Sequence, residues 1–124
     1  MGEGKISERT TTLNVRLYFL QRATAMLMAP LIVGHIALIF YATRKGLSAP
    51  DILGRTQGSV GWALYYGVFV MAAAIHGAIG LRSIAREWGP RTLAQKPRVL
   101  DFLMWAFGVT LAILGLRAVA AVVL

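Results

Sequence analysis

The chain has 124 residues, 57% of them hydrophobic and only 15% charged, with a formal net charge of +8. A soluble domain of this size has no use for apolar runs of about twenty residues, so the composition points to a membrane protein. The absence of cysteine excludes thiolate-held iron–sulfur clusters and covalently attached c-type haem within the chain, leaving histidine or methionine to hold any redox centre.

The first 22 residues, MGEGKISERTTTLNVRLYFLQR, are polar and mixed in charge. They lack the short apolar core and small-residue cleavage site of a removed signal peptide, and read as a cytoplasmic N-terminal segment. Three apolar runs follow, at about 23–43, 62–81 and 102–124, the last interrupted only by Arg117. Each is long enough to cross a hydrocarbon core of ~30 Å, and backbone groups in that medium are satisfied within a helix. The predicted fold is an all-α membrane protein with three transmembrane helices, forming a single domain over 1–124. Pro30 falls inside the first span, where it removes a backbone hydrogen bond and is expected to kink the helix before His35. The connection RKGLSAPDILGRTQGSVG is loop-like, with Ser48 or Asp51 placed to cap a short interfacial helix over 51–57. The connection before span three turns at Gly89-Pro90, and Pro97 lies near the start of the last helix.

The basic residues lie beside the spans, where membrane orientation and anionic lipid explain them better than a nucleic-acid partner. Four precede span one (Lys5, Arg9, Arg16, Arg22) and five lie between spans two and three (Arg82, Arg86, Arg91, Lys96, Arg98). The first loop holds three: Arg44, Lys45 and Arg55. Nine against three puts the N-terminus inside and the C-terminus outside.

Ionisable residues at membrane depth cost several kcal/mol and usually face a partner, a cavity or a cofactor. This chain has His35, His76 and Arg117 there. His76 shares a helix face with Ala72, Ala73, Gly80 and Ser83, a small-residue face that suits either a close helix–helix approach or a flat macrocycle. Its imidazole fits haem ligation, with an interhelical hydrogen bond as the alternative. His35 adjoins Gly34 among Leu31, Ile32, Leu38 and Ile39, and there a structural hydrogen bond competes more strongly. At ~1.5 Å per residue, His35 lies ~20 Å from the inner face and His76 ~9 Å, so the two favour separate levels over one shared iron. Each then needs a second ligand from another chain. Arg117, near the level of His35, suits a haem propionate or a snorkelling role. Arg22 and Arg82, near the level of His76, suit propionates or a quinone oxygen, or act as plain interfacial anchors.

The stretch HGAIGLRSIAREW, residues 76–88, resembles the second-helix signature of succinate dehydrogenase and fumarate reductase membrane anchors, H-x3-G-[ILM]-R-x4-[DE]-[YFW]. His76, Gly80, Leu81, Arg82 and Glu87 match it in spacing. LQRATAML, residues 20–27, resembles that family's R-x-[ST] entry to helix one, and the resemblance extends from about residue 17 to the C-terminus.

The resemblance implies that His76 is an axial ligand of the inner b-type haem, shared with a partner subunit. Arg22 and Arg82 become propionate or quinone-site residues, and Glu87 and Trp88 border the quinone pocket. It implies a subunit of succinate:quinone oxidoreductase in a bacterial-type inner membrane. The partners are flavoprotein and iron–sulfur subunits, a second anchor chain or second copy of this one, ubiquinone or menaquinone, and lipid. The dicarboxylate site belongs to other subunits, and turnover runs toward either succinate oxidation or fumarate reduction.

Two departures stand out. Trp88 occupies the position where the best-known members carry Tyr. His35 is generally missing from single-haem anchors, whereas two-haem members have a first-helix histidine serving an outer haem. The competing readings are a cytochrome b anchor of another quinone oxidoreductase and a non-redox membrane or transport subunit with structural histidines.

Overall fold

The computed structural model describes residues 2–124, apart from the side chain of residue 6. Helix α1 spans Gly2–Lys45, α2 Ala49–Thr56, α3 Val60–Trp88, α4 Arg91–Ala94 and α5 Pro97–Val123. No strand occurs among the described residues. Three of these helices, α1, α3 and α5, are long and apolar enough to cross a membrane.

Helix α1 has 44 residues, or ~66 Å, about twice the hydrocarbon thickness. The polar N-terminal segment is therefore continuous with the first span, because loss of hydrophobicity does not end a helix that meets no breaker. Pro30 lies inside this helix, which continues through it to Lys45.

The short loop helix forms as Ala49–Thr56, beginning two residues earlier than the predicted 51–57. Ser48 caps it: the Ser48 hydroxyl accepts from the Asp51 N–H, and the Asp51 carboxylate accepts from the Ser48 N–H at 2.8 Å. The Ser48 hydroxyl also donates to this carboxylate at 2.6 Å, and that bond, with the one from the Ser48 N–H, holds the Asp51 carboxyl below its ordinary pKa. The far end of α2 is tied to α5, where Thr56 Oγ1 donates to the Val122 carbonyl and Gly58 N to that of Val123, each at 2.8 Å. Gly58 has φ +71°, a left-handed conformation suited to glycine at this reversal.

Helix α3 is the central element, with α1 and α5 packed against it. Against α5 the contact is built from small residues. A Cβ added to Gly108 would lie 3.0 Å from that of Ala78, and one added to Gly115 would collide with Val70. Dispersion at this close approach substitutes for the hydrophobic drive that lipid does not supply. Against α1, the Tyr65 hydroxyl donates to the Leu31 carbonyl at 2.6 Å, passing over Gly34.

Candidate functional site

His76 projects from α3 toward the entry of the first span. Its Nδ1 lies 3.2 Å from the Gln21 carbonyl oxygen and 3.3 Å from Thr24 Oγ1. The Gln21 carbonyl can only accept, so the shared proton resides on Nδ1. The buried Thr24 hydroxyl lies 2.8 Å from the Leu20 carbonyl and 3.0 Å from that of Gln21. Donating back along its own helix leaves its lone pairs for the imidazole. A neutral His76 ring thus carries its free lone pair on Nε2, which makes no hydrogen bond among the described residues. An imidazole donating one N–H to a carbonyl while presenting the other nitrogen is arranged as metal-ligating histidines are.

The small face around His76 serves helix packing in part. Ala72 is buried, and a Cβ on Gly80 would meet the Gln21 amide at 3.5 Å. The interhelical hydrogen bond and the close helix approach are both present, and both leave Nε2 unengaged.

Less than two turns further along α3, Arg82 is 6% exposed and donates from Nε to Asp101 Oδ1 at 2.6 Å. Its Nη1 reaches Asn14 Oδ1 at 3.4 Å, so a single guanidinium ties α3 to both α5 and α1. A cavity of about 160 Å³ adjoins it, lined among others by Asn14, Gln21, Arg82, Ser83, Arg86 and Glu87. The structure thus gathers Arg82 and Glu87 in one cavity but leaves Arg22 and Trp88 off its walls. Arg22 is exposed, its guanidinium over the Tyr18 ring at 5.3 Å, and Trp88 is 85% exposed. Sequence reasoning missed Gln21, Thr24, Asn14 and Asp101. Asp101 carried a usable signal, as the one acidic residue at the start of span three.

His35 meets a different part of α3. Its ring packs edge-on against Tyr66 and Phe69, with centroids 5.7 and 5.9 Å away. Its Nδ1 is buried without a hydrogen-bond partner among the described residues. A cavity of about 270 Å³ lies beside it, lined among others by Tyr41, Arg55, Thr56, Trp62 and Tyr66. Arg117 is exposed on α5 and is not on this cavity's wall. It does lie near this level, two residues beyond the Gly115–Val70 contact.

The helix contacts fix the spacing of the two histidines. His76 bonds to residues 21 and 24 of α1, which lie ~17–21 Å along that helix from His35. Along α3, the Tyr66 and Phe69 contacts of His35 lie ~10–15 Å from His76. Two ligands on one metal sit ~4 Å apart, so these two imidazoles lie too far apart along the helices to share one ion.

Three bilayer-length helices with polar interiors gathered at two levels define an integral membrane protein. The model of the succinate dehydrogenase/fumarate reductase transmembrane subunit family matches residues 6–124, and the chain belongs to that family. No curated protein sequence and no solved structure matches it.

Proposed function

We propose that this chain is a haem b-binding anchor that passes electrons from an iron–sulfur subunit to membrane quinone, with His76 as axial ligand of the inner haem. The observation that carries this reading is the Nδ1 proton held between the Gln21 carbonyl and Thr24 Oγ1, with Nε2 left to ligate. A bound haem would supply a one-electron relay at this level. The chain's own task is to orient the ring and keep its proton on Nδ1.

The cavity beside Arg82 is the candidate quinone head-group site, and Gln21, Ser83, Arg86 and Glu87 supply its polar lining. Arg82, committed to Asp101 and Asn14, lines this cavity and positions this end of the bundle. Arg22 and Trp88, exposed at the same end, border the site from positions that the iron–sulfur subunit and a second anchor would cover. His35 serves a second haem at the other level, its remaining ligand supplied by the second anchor or by another copy of this chain. The nine-to-three charge bias supports a cytoplasmic N-terminus and His76 level in a bacterial-type inner membrane. The dicarboxylate chemistry belongs to flavoprotein and iron–sulfur partners.

The test is b-type haem per anchor in the purified complex, read by reduced-pyridine spectra for wild type, His76→Ala and His35→Ala. Two haems, with each substitution removing a different one, is the expected result. One haem lost only with His76 reduces His35 to packing. The reading with structural histidines is favoured by the same His76 hydrogen bonds, and predicts no haem absorption in any variant.

A further inference from the structure

The cavity beside His35 holds a cation that the sequence did not connect with it. Four basic residues sit toward this end of the molecule: Arg44, Lys45, Arg55 and Arg117. Only Arg55 lines the cavity. Arg44 is stacked over the Phe40 ring at 4.5 Å; Arg55 and Arg117 are both exposed, but Arg117 stands on α5, off this wall.

Arg55 is also held in place. It sits in the last turn of α2, whose start is closed by the Ser48–Asp51 capping box and whose end is tied to α5 through Thr56 and Gly58. Thr56, the next residue, is buried and lines the same cavity. The backbone that carries the exposed Arg55 side chain is therefore held at both ends of α2.

The remaining wall is mostly apolar and aromatic, with Trp62 and Tyr66 stacked on each other at 5.8 Å. His35 is also on this wall, with its Nδ1 buried and unpartnered among the described residues. Burial without a partner leaves Nδ1 out of reach of a ligand, so any group in the cavity would meet the ring through Nε2. The combination suits a flat aromatic ligand with a carboxylate edge: imidazole for its centre, aromatic faces for its plane, guanidinium for its acid. The volume of about 270 Å³ accommodates one edge of such a ligand, the rest falling to a partner chain.

We infer that Arg55, rather than Arg117, is the charge partner of the propionate edge of a haem held through His35. This rests on the proposed reading of His35 as a haem ligand. Guanidinium pairs with carboxylate through two parallel hydrogen bonds, and a cation at this edge favours the reduced, more electron-rich haem.

The experiment is a spectroscopic redox titration of the intact purified complex carrying Arg55→Gln, Arg55→Lys, Arg117→Gln or His35→Ala. The haem assigned to His76 reports that each variant has folded. Arg55→Gln is expected to lower the midpoint potential of the His35-linked haem by about tenfold in its reduction equilibrium, ~59 mV for one electron. Arg55→Lys should recover part of this shift, and Arg117→Gln should leave the potential in place. If His35→Ala removes a haem while Arg55→Gln changes neither its amount nor its potential, Arg55 is not the partner. A shift with Arg117→Gln alone would transfer the role to Arg117. If His35→Ala removes no haem, both the underlying reading and this inference fall.

Discussion

At the scale of single residues, the two histidines differ in how their Nδ1 atoms are treated. His76 Nδ1 has two acceptors, one of them the hydroxyl of a threonine only 6% exposed, whereas His35 Nδ1 is buried with none. A hydrogen bond from Nδ1–H to an acceptor raises the basicity of the opposite nitrogen and fixes ring orientation. Thr24→Val keeps the side chain's size and removes the acceptor, leaving only the Gln21 carbonyl. The expected result is retained haem at His76 with a midpoint potential raised by up to about tenfold in equilibrium, ~59 mV, and Thr24→Ser restoring the original value. An unchanged potential in Thr24→Val would mean that the hydroxyl only packs against the ring. Complete loss of haem would show it to be indispensable to the site rather than a modulator of it.

At the scale of elements, the buried Arg82 is the residue whose neutralisation should cost most. Its Nε is committed to Asp101 on α5 and its Nη1 to Asn14 on α1. Removing one partner of a buried pair strands the other charge, with typical losses of 3–5 kcal/mol, while an apolar replacement of both is far milder. Asp101 is itself 32% exposed, so Asp101→Ala should lower the thermal stability of the purified complex by less than this, on the order of 1–2 kcal/mol. The double replacement Arg82→Met, Asp101→Leu should be less damaging than Asp101→Ala alone. If the double variant is the worse of the two, Arg82 contributes mainly through the cavity it lines. The pair also marks where the sequence stopped being legible. The three spans, the loop helix with its Ser48 cap and the matched His76 motif follow from hydropathy, capping chemistry and local spacing. Which residue of α1 lies opposite His76, and that Asp101 meets Arg82 across 19 positions, depend on interhelical register, which no local period encodes. The N-terminal extension of α1 was equally hidden, because a polar helix and a polar coil share a composition until packing or a breaker separates them.

At the scale of the molecule, α3 alone is substantially covered. In its most apolar stretch 28% of the residues are buried, against 6% for α1 and α5. The outer faces of α1 and α5 are thus left to lipid and to neighbouring subunits, as expected for one anchor of a larger assembly. The functional meaning of the two histidine levels then depends on which way the bundle faces. Three antiparallel spans put Lys5 and Gln95 at one end and Gln57 at the other, and all three side chains are exposed. The chain has no cysteine, so single replacements Lys5→Cys, Gln95→Cys and Gln57→Cys can each be labelled without background. With nine basic residues at the end holding Lys5 and Gln95, and three at the other, a membrane-impermeant maleimide should modify Gln57→Cys in intact spheroplasts. The other two should react only after the membrane is opened or inverted. That pattern places the His76 level and the Arg82 cavity toward the cytoplasm, and the His35 level with Arg55 toward the outer face. Electrons moving from the first level to the second would then cross much of the membrane potential, at up to ~2.3 kcal/mol per charge for each 100 mV traversed in full. The reverse labelling pattern would place the Arg82 cavity on the outside, away from any cytoplasmic iron–sulfur subunit, and the proposed electron path would fail with it.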